Sequence, residues 1–395
     1  MITAVSGVVP EHRYTQAELT ASLAELAGLP VSKLDTLRRI HANAGVEHRH
    51  LALPIEHYAE TTATFSAAND AFIAVGTDLA ERAVSQALSM AGITAADVDL
   101  IISTTVTGMA VPSLEARLIA RMPFRTDVKR IPIIGLGCVG GAAGIARAHD
   151  YLVGHPGHIA VLVSVELCSL TLQRDDVSMA NLIASGLFGD GAAAVVLCGT
   201  EVTLPNTDDR STLKDDRPPR TDDHLPRSMP TVLASRSRMY PDTERAMGWD
   251  VGTTGLRIVL GAEVPDLVRD HVRADVDTFL AMHGLTRADI GWWVAHPGGP
   301  KVLDALSEAL QVPPSALGVT WRSLGQIGNL SSSSVLHVLG DTLRDHQPEA
   351  GSLGVLMAMG PGFCLELVLL RAPEGDDQPP APSPNSSAPS ADGGR

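Results

Sequence analysis

Cys138 stands in the stretch IPIIGLGCVGGAAGIARAHDYLVGH, where an apolar strand-like run meets a glycine cluster and then a helical segment. Two chemistries compete for this turn. Gly135, Gly137 and Gly140 fit the spacing G-x-G-x-x-G, and Glu166 closes a second apolar run where an acid could hold a ribose. That reading makes the turn a pyrophosphate cradle and the chain a nucleotide-binding oxidoreductase. The other reading makes Cys138 a nucleophile. A thiol at the first turn of a helix sits beside unpaired backbone N–H groups, and their field favours thiolate. Small neighbours would let a thioester come close and let N–H groups face an acyl oxygen. Tight packing around a buried cysteine would use the same residues.

Two further residues weigh on the choice. His296 closes an apolar run and precedes Pro-Gly-Gly, so a stiff turn would hold it at a strand end, where ligands of α/β sheets collect. Asn329 opens GNLSSSSV, which leads into a helical stretch and could equally serve as a cap. A repeat links them. MAGITAADVDLIISTT begins at Met90 and MHGLTRADIGWWVAHP at Met282, 192 residues later. GCVGGAAGIARAHDYL, with Cys138, and GNLSSSSVLHVLGDTL, with Asn329, lie 191 residues apart. Two pairs at nearly the same offset imply a duplicated α/β unit whose matching strand ends meet near a pseudo-twofold axis. That would bring Cys138, His296 and Asn329 together. The thiol could then accept an acyl group from a thioester. His296 and Asn329 could donate hydrogen bonds to a thioester oxygen and hold the enolate left when a malonyl unit loses CO₂. Such chemistry requires no metal and no carboxylate base.

The elements needed to position these groups are visible in the pattern. Strand-like runs such as DLIISTT, IAVLVSV, AAAVVL, WWVAH and GVLMAM alternate with amphipathic stretches such as DLAERAVSQALSMAG. The expectation is an α/β fold of two related halves, residues 1–203 with the cysteine and 231–372 with the histidine and asparagine. The segment 204–230 would be an exposed linker and 373–395 a disordered tail. With 395 residues, 45% of them hydrophobic, the chain has ample material for a core. A net charge of -15 argues against nucleic acid as a partner. The densest basic cluster holds Arg38, Arg39 and Arg49. Four dispersed cysteines indicate reduced thiols and a cytoplasmic location, and no apolar run is long enough to span a membrane.

At these residues the chain resembles the type III polyketide synthases, the chalcone/stilbene synthase family, and in particular bacterial members that make alkylresorcinols, alkylresorcylic acids or alkylpyrones. The motifs are GCVGGAAG around Cys138, GLFGDGAAAVV around Phe188, AHPGGPKVLD around His296, GNLSSSSV around Asn329, and MGPGF. The resemblance implies the thiolase-like fold, a duplicated αβαβα arrangement working as a homodimer, with acyl-CoA and malonyl-CoA as substrates and no other cofactor. It implies that Cys138 carries the chain while His296 and Asn329 assist decarboxylation and condensation. Phe188 and Ile258 would stand at the two gatekeeper positions. Thr171, Ser331 and, across the dimer, Val111 would line the cavity, and Arg39 would grip CoA phosphate. Ile258 in place of an aromatic suggests a long apolar cavity and a fatty acyl starter. A β-ketoacyl carrier-protein synthase III-like enzyme is the near alternative.

Overall fold

The computed structural model describes residues 1–204 and 229–374. Nearly all of the expected linker and tail therefore lies outside the described residues.

Two mixed sheets form the frame. The first runs Ile2–Val8, Asp190–Cys198, Ile159–Leu167, Leu100–Thr105, Lys129–Ile134 across its width. Successive neighbours pair antiparallel, antiparallel, parallel and parallel. The second runs Thr231–Met239, Cys364–Arg371, Leu353–Gly360, Ile290–Ala295, and repeats the order antiparallel, antiparallel, parallel. The fold is thus written twice, and each copy draws on one part of the chain.

Continuous apolar runs form the central strands because both of their faces are covered, while the edge strands Lys129–Ile134 and Thr231–Met239 are exposed or half-buried over most of their length. Every residue of Ile159–Leu167 and Asp190–Cys198 is buried. Val161, Val163 and Val165 point to the long outer helix Phe65–Ala91. Ala160 and Leu162 point inward, to the helices Gly140–Gly154 and Ser334–Asp341. Leu356 and Ala358 of the second sheet share that inner layer, while Val355 and Met357 face the outer helices Val264–Ala281 and Pro300–Leu310. Helix, sheet, helix, sheet and helix make five layers, the expected αβαβα arrangement.

The first repeat pair folds alike in detail. Thr94 and Thr286 each close a capping box with the aspartate three residues on, Asp97 and Asp289. Gly92 and Gly284 end the preceding helices with φ of 71° and 70°. The second pair needs a correction. The turn Gly137–Val139 is matched by Ser331–Ser333, and each is followed directly by its helix. Both turns start at positive φ, 53° at Gly137 and 48° at Ser331. Cys138 is therefore the counterpart of Ser332, and Asn329 stands just before its turn rather than within it. Asn329 and Cys138 are still brought to one place, because the two turns face each other across the inner layer.

Candidate active site

The inner layer brings the two turns so close that side chains are excluded. A Cβ on Gly141 would lie 2.3 Å from the Ser332 carbonyl oxygen, and one on Gly137 would lie 2.7 Å from Pro361. These glycines serve contact between the halves, not a pyrophosphate. Glu166 is also spoken for. It is fully buried and accepts hydrogen bonds from Thr107 Oγ1 (2.9 Å), the Val106 N–H (3.1 Å) and the Ser332 hydroxyl. No ribose could reach it, and the nucleotide reading is set aside.

Cys138, His296 and Asn329 line one cavity of about 580 Å³, with Ser331, Phe188 and Ile258 among its walls. Three separate stretches of sequence thus supply one site. Cys138 sits in the short turn that begins the helix Gly140–Gly154, and its Sγ lies 3.7 Å from Ser331 Oγ. Burial pushes the thiol up to about 12, with the Ser331 contact opposing and the Glu166 charge adding to the rise. The field of the helix end favours thiolate, and burial opposes it.

His296 follows the strand Ile290–Ala295, anchored by its N–H to the Met357 carbonyl at 2.9 Å. Burial alone holds its pKa down to about 3, so the ring is neutral. Its Nδ1 has no hydrogen-bond partner among the described residues. Asn329 is oriented by its own turn. Its Oδ1 accepts the Ser331 N–H at 2.8 Å and the Ser334 hydroxyl at 3.5 Å, so Nδ2 is left as the donor. A neutral imidazole lining the same cavity as the thiol can take its proton as sulfur attacks. A fixed carboxamide N–H suits a developing oxyanion.

The remaining expected residues divide. Phe188 and Ile258 line the main cavity and also a second one of about 110 Å³. Trp249, opposite Ile258 in the hairpin Met247–Gly252 and Gly255–Leu260, lines both as well. An aromatic ring thus stands at this wall, on the strand beside Ile258, and nothing in the local pattern announced it. Thr171 does not line the main cavity. Its Oγ1 donates to the Cys168 carbonyl at 2.8 Å, and it borders the smaller one. Val111 is 95% exposed and lines neither cavity. Arg39 lies on the rim of the main cavity, as does Lys301, which sequence reasoning passed over. The basic cluster separates. Arg38 pairs with Asp35 in solvent, whereas Arg49 is buried and lines the smaller cavity.

Known proteins place this architecture. Residues 9–212 match the model of FAE1/type III polyketide synthase-like proteins, and residues 231–373 match the C-terminal domain of chalcone and stilbene synthases. The chain is 53% identical to a 1,3,6,8-tetrahydroxynaphthalene synthase of Streptomyces peucetius subsp. caesius, over 94% of this chain and 92% of that one. It is 30% identical to a phloroglucinol synthase of Pseudomonas fluorescens, over 91% and 95% of the two chains. The solved 1,3,6,8-tetrahydroxynaphthalene synthase of Streptomyces coelicolor superposes with a TM-score of 0.83 at 30% identity, covering 95% of this chain and 99% of that one. Fold, paired turns and these likenesses agree: the chain belongs to the chalcone and stilbene synthase family of type III polyketide synthases, condensing enzymes of the acyltransferase kind.

Proposed function

We propose that the chain condenses malonyl-CoA units on Cys138 and releases a polyhydroxylated naphthalene. The observation that carries the reaction is the convergence of Cys138, His296 and Asn329 on one cavity. The sulfur attacks a thioester carbonyl, His296 takes and keeps the sulfur's proton, and CoA leaves as the thiolate, which solvent protonates. A malonyl-CoA then loses CO₂. Its electron pair becomes an enolate whose oxygen accepts hydrogen bonds from the His296 imidazolium and Asn329. The enolate carbon attacks the Cys138 thioester. The C–S bond to Cys138 breaks, the imidazolium returns its proton to the sulfur, and the chain leaves on CoA two carbons longer, ready to reload. Ser331 would steady the sulfur. Arg39 at the rim would bind CoA phosphate, with Lys301 beside it. A homodimer would bring Val111 of one protomer to the cavity of the other, and the site of action would be the cytoplasm.

The proposed product is supported by the 53% identical relative, named for 1,3,6,8-tetrahydroxynaphthalene. Ten ring carbons with oxygens at alternate positions correspond to five two-carbon units, which malonyl-CoA alone can supply. A fatty acyl starter closing to an alkylpyrone or alkylresorcinol is the second reading. Its support is the smaller cavity behind Phe188, Trp249 and Ile258, lined by Leu19, Leu23, Leu26 and Leu51. Each methylene buried there would contribute about 0.8 kcal/mol.

The test is incubation with labelled malonyl-CoA, alone and with acyl-CoAs of graded length, followed by mass analysis of products. A ten-carbon polyhydroxynaphthalene from malonyl-CoA alone is expected, with none from Cys138→Ala. Product that forms only when a long acyl-CoA is added would replace the first reading with the second. Equal label incorporation by Cys138→Ala would end both.

A further inference from the structure

The last turn of the helix Met179–Leu187 presents carbonyls that no later helical N–H can reach. Each is taken up by a different part of the chain. Arg49 Nη1 donates to the Ser185 carbonyl at 2.7 Å and to the Phe188 carbonyl at 2.9 Å. Gln16 Nε2 donates to the Gly186 carbonyl at 2.6 Å. The Asn329 N–H donates to the Leu187 carbonyl at 2.9 Å, and the Gly189 N–H returns a bond to the Asn329 carbonyl at 2.9 Å. Phe188 and Asn329 are thereby joined as a short parallel bridge. Arg49 Nη2 donates to Gln16 Oε1 at 2.8 Å, which locks the two supports together. The Arg49 stem also lies under Gly328, whose Cβ would come within 3.1 Å of Arg49 Cγ.

From this juxtaposition we infer that Arg49 and Gln16 are positioning residues for condensation, a buried brace that fixes Phe188 and Asn329 relative to each other. Arg49 does not line the cavity that holds Cys138. It acts through the two residues that do. The planar guanidinium suits this task, since one rigid fork can reach two carbonyls and a carboxamide. Asp190 does not pair with it directly. That carboxylate is occupied by the Ala52 N–H (2.6 Å) and the Ser169 N–H (2.8 Å), and balances the charge from a distance. A lysine would keep the charge but hold fewer of the carbonyls. Phe188 and Asn329 could then shift apart while the fold persists.

The inference rests on the function proposed above, and the experiment separates the two. Arg49→Lys and Gln16→Leu are compared with wild type for three quantities: acylation of Cys138 by mass, kcat and KM for malonyl-CoA, and CO₂ released per product formed. Val276→Ala, deep in an outer helix, serves as a variant that is merely less stable. Expected for Arg49→Lys are retained acylation, an unchanged KM, kcat lowered on the order of 10- to 100-fold, and severalfold more CO₂ per product, as for reacting groups displaced by a fraction of an ångström. Gln16→Leu should move the same quantities less, and Val276→Ala should lower Tm without changing the CO₂ ratio. The brace is refuted if folded Arg49→Lys and Gln16→Leu keep kcat and the CO₂ ratio within twofold of wild type. It is refuted equally if Val276→Ala reproduces their ratio. Should Arg49→Lys not fold, Gln16→Leu decides alone. If wild type itself fails to acylate Cys138, the proposed function falls first and the brace with it.

Discussion

The turn Gly137–Val139 and the turn Ser331–Ser333 hold the same place in the two copies of the fold, yet they are built for opposite ends. The first is stripped of bulk and carries Cys138 into a cavity. The second is packed with hydroxyls that are all engaged. Ser332 and Ser333 reach Ser164 at 2.8 and 2.7 Å, and Ser332 also holds Glu166. In the proposed reaction one copy supplies the reacting atom, and the other supplies the frame that fixes its neighbours. A duplicated fold can divide labour in this way because the halves meet at the start of their inner helices, where either could have held the nucleophile.

If that division is right, exchanging the reactive group should cost most. Cys138→Ala is expected to abolish both the acyl-enzyme and product, measured by mass and by label incorporation. The frame should still stand, with Tm within a few degrees of wild type. Next in size is the donor held by the second turn. Asn329→Ala should lower kcat by about 10²- to 10³-fold, the usual cost of a lost oxyanion donor. Cys138 should remain open to alkylation by iodoacetamide at a similar rate. A parallel loss of alkylation would mean that Asn329 supports the sulfur rather than the oxyanion.

The contact between the turns can be tested by a single methyl. Gly141→Ala places a Cβ 2.3 Å from the Ser332 carbonyl oxygen, and neither backbone can yield easily. A loss of about 1–3 kcal/mol is expected, as for an overpacked core. Gly154, at the far end of the same helix, has nothing within 4 Å of its Cβ position. Gly154→Ala should leave the urea midpoint unchanged or raise it slightly. Equal effects at the two sites would show that the turns are not in firm contact.

How much of this could be read from sequence follows from what each feature depends on. The repeat around Thr94 and Thr286 was legible because a capping box is local, needing a hydroxyl and an acid three residues apart. The doubly buried strands were legible because covering both faces leaves an unbroken apolar run. The convergence of Cys138, His296 and Asn329 followed from the duplication. The three-residue slip in matching Asn329 to its turn did not show, because four serines blur the register and only the positive φ at Ser331 fixes it. Arg49 read only as one member of a basic cluster, because burial of an arginine depends on carbonyls more than a hundred residues away. Trp249 was missed because its position at the wall is set by hairpin pairing with Ile258, and Thr171 was displaced by the hydrogen bond that turns its hydroxyl back to Cys168. The burial that opposes a Cys138 thiolate did not show, because the helix end is a local signal, whereas desolvation belongs to the assembled pocket.

The smallest effect expected concerns acid. His41, wedged between Thr20 Oγ1 (2.8 Å) and Ser185 Oγ (3.2 Å) in the first half, is held down to about 4 by burial and by the Arg49 charge. His296 in the second half is held down to about 3 by burial. Both imidazoles are therefore neutral in the folded chain at pH values where the unfolded chain, near 6.5, takes up protons. The unfolded state binds more protons below pH 6.5, so stability falls with acid, by up to about 1.4 kcal/mol per pH unit for each imidazole. Asp190, raised to about 6 by burial, works in the opposite direction between its unfolded value of 3.8 and 6, as do Glu166 and Glu366, also raised by burial, while His50, His149 and His337, held down by burial, add to the imidazole side. Thermal unfolding should show a flat Tm above pH 7 and a declining one from 6.5 to 4.5. His41→Asn should lower Tm at pH 7.5 yet shallow the acid slope. An unchanged slope would mean that His296 and the other imidazoles held down by burial, His50, His149 and His337, carry the acid response, and that His41 contributes only packing.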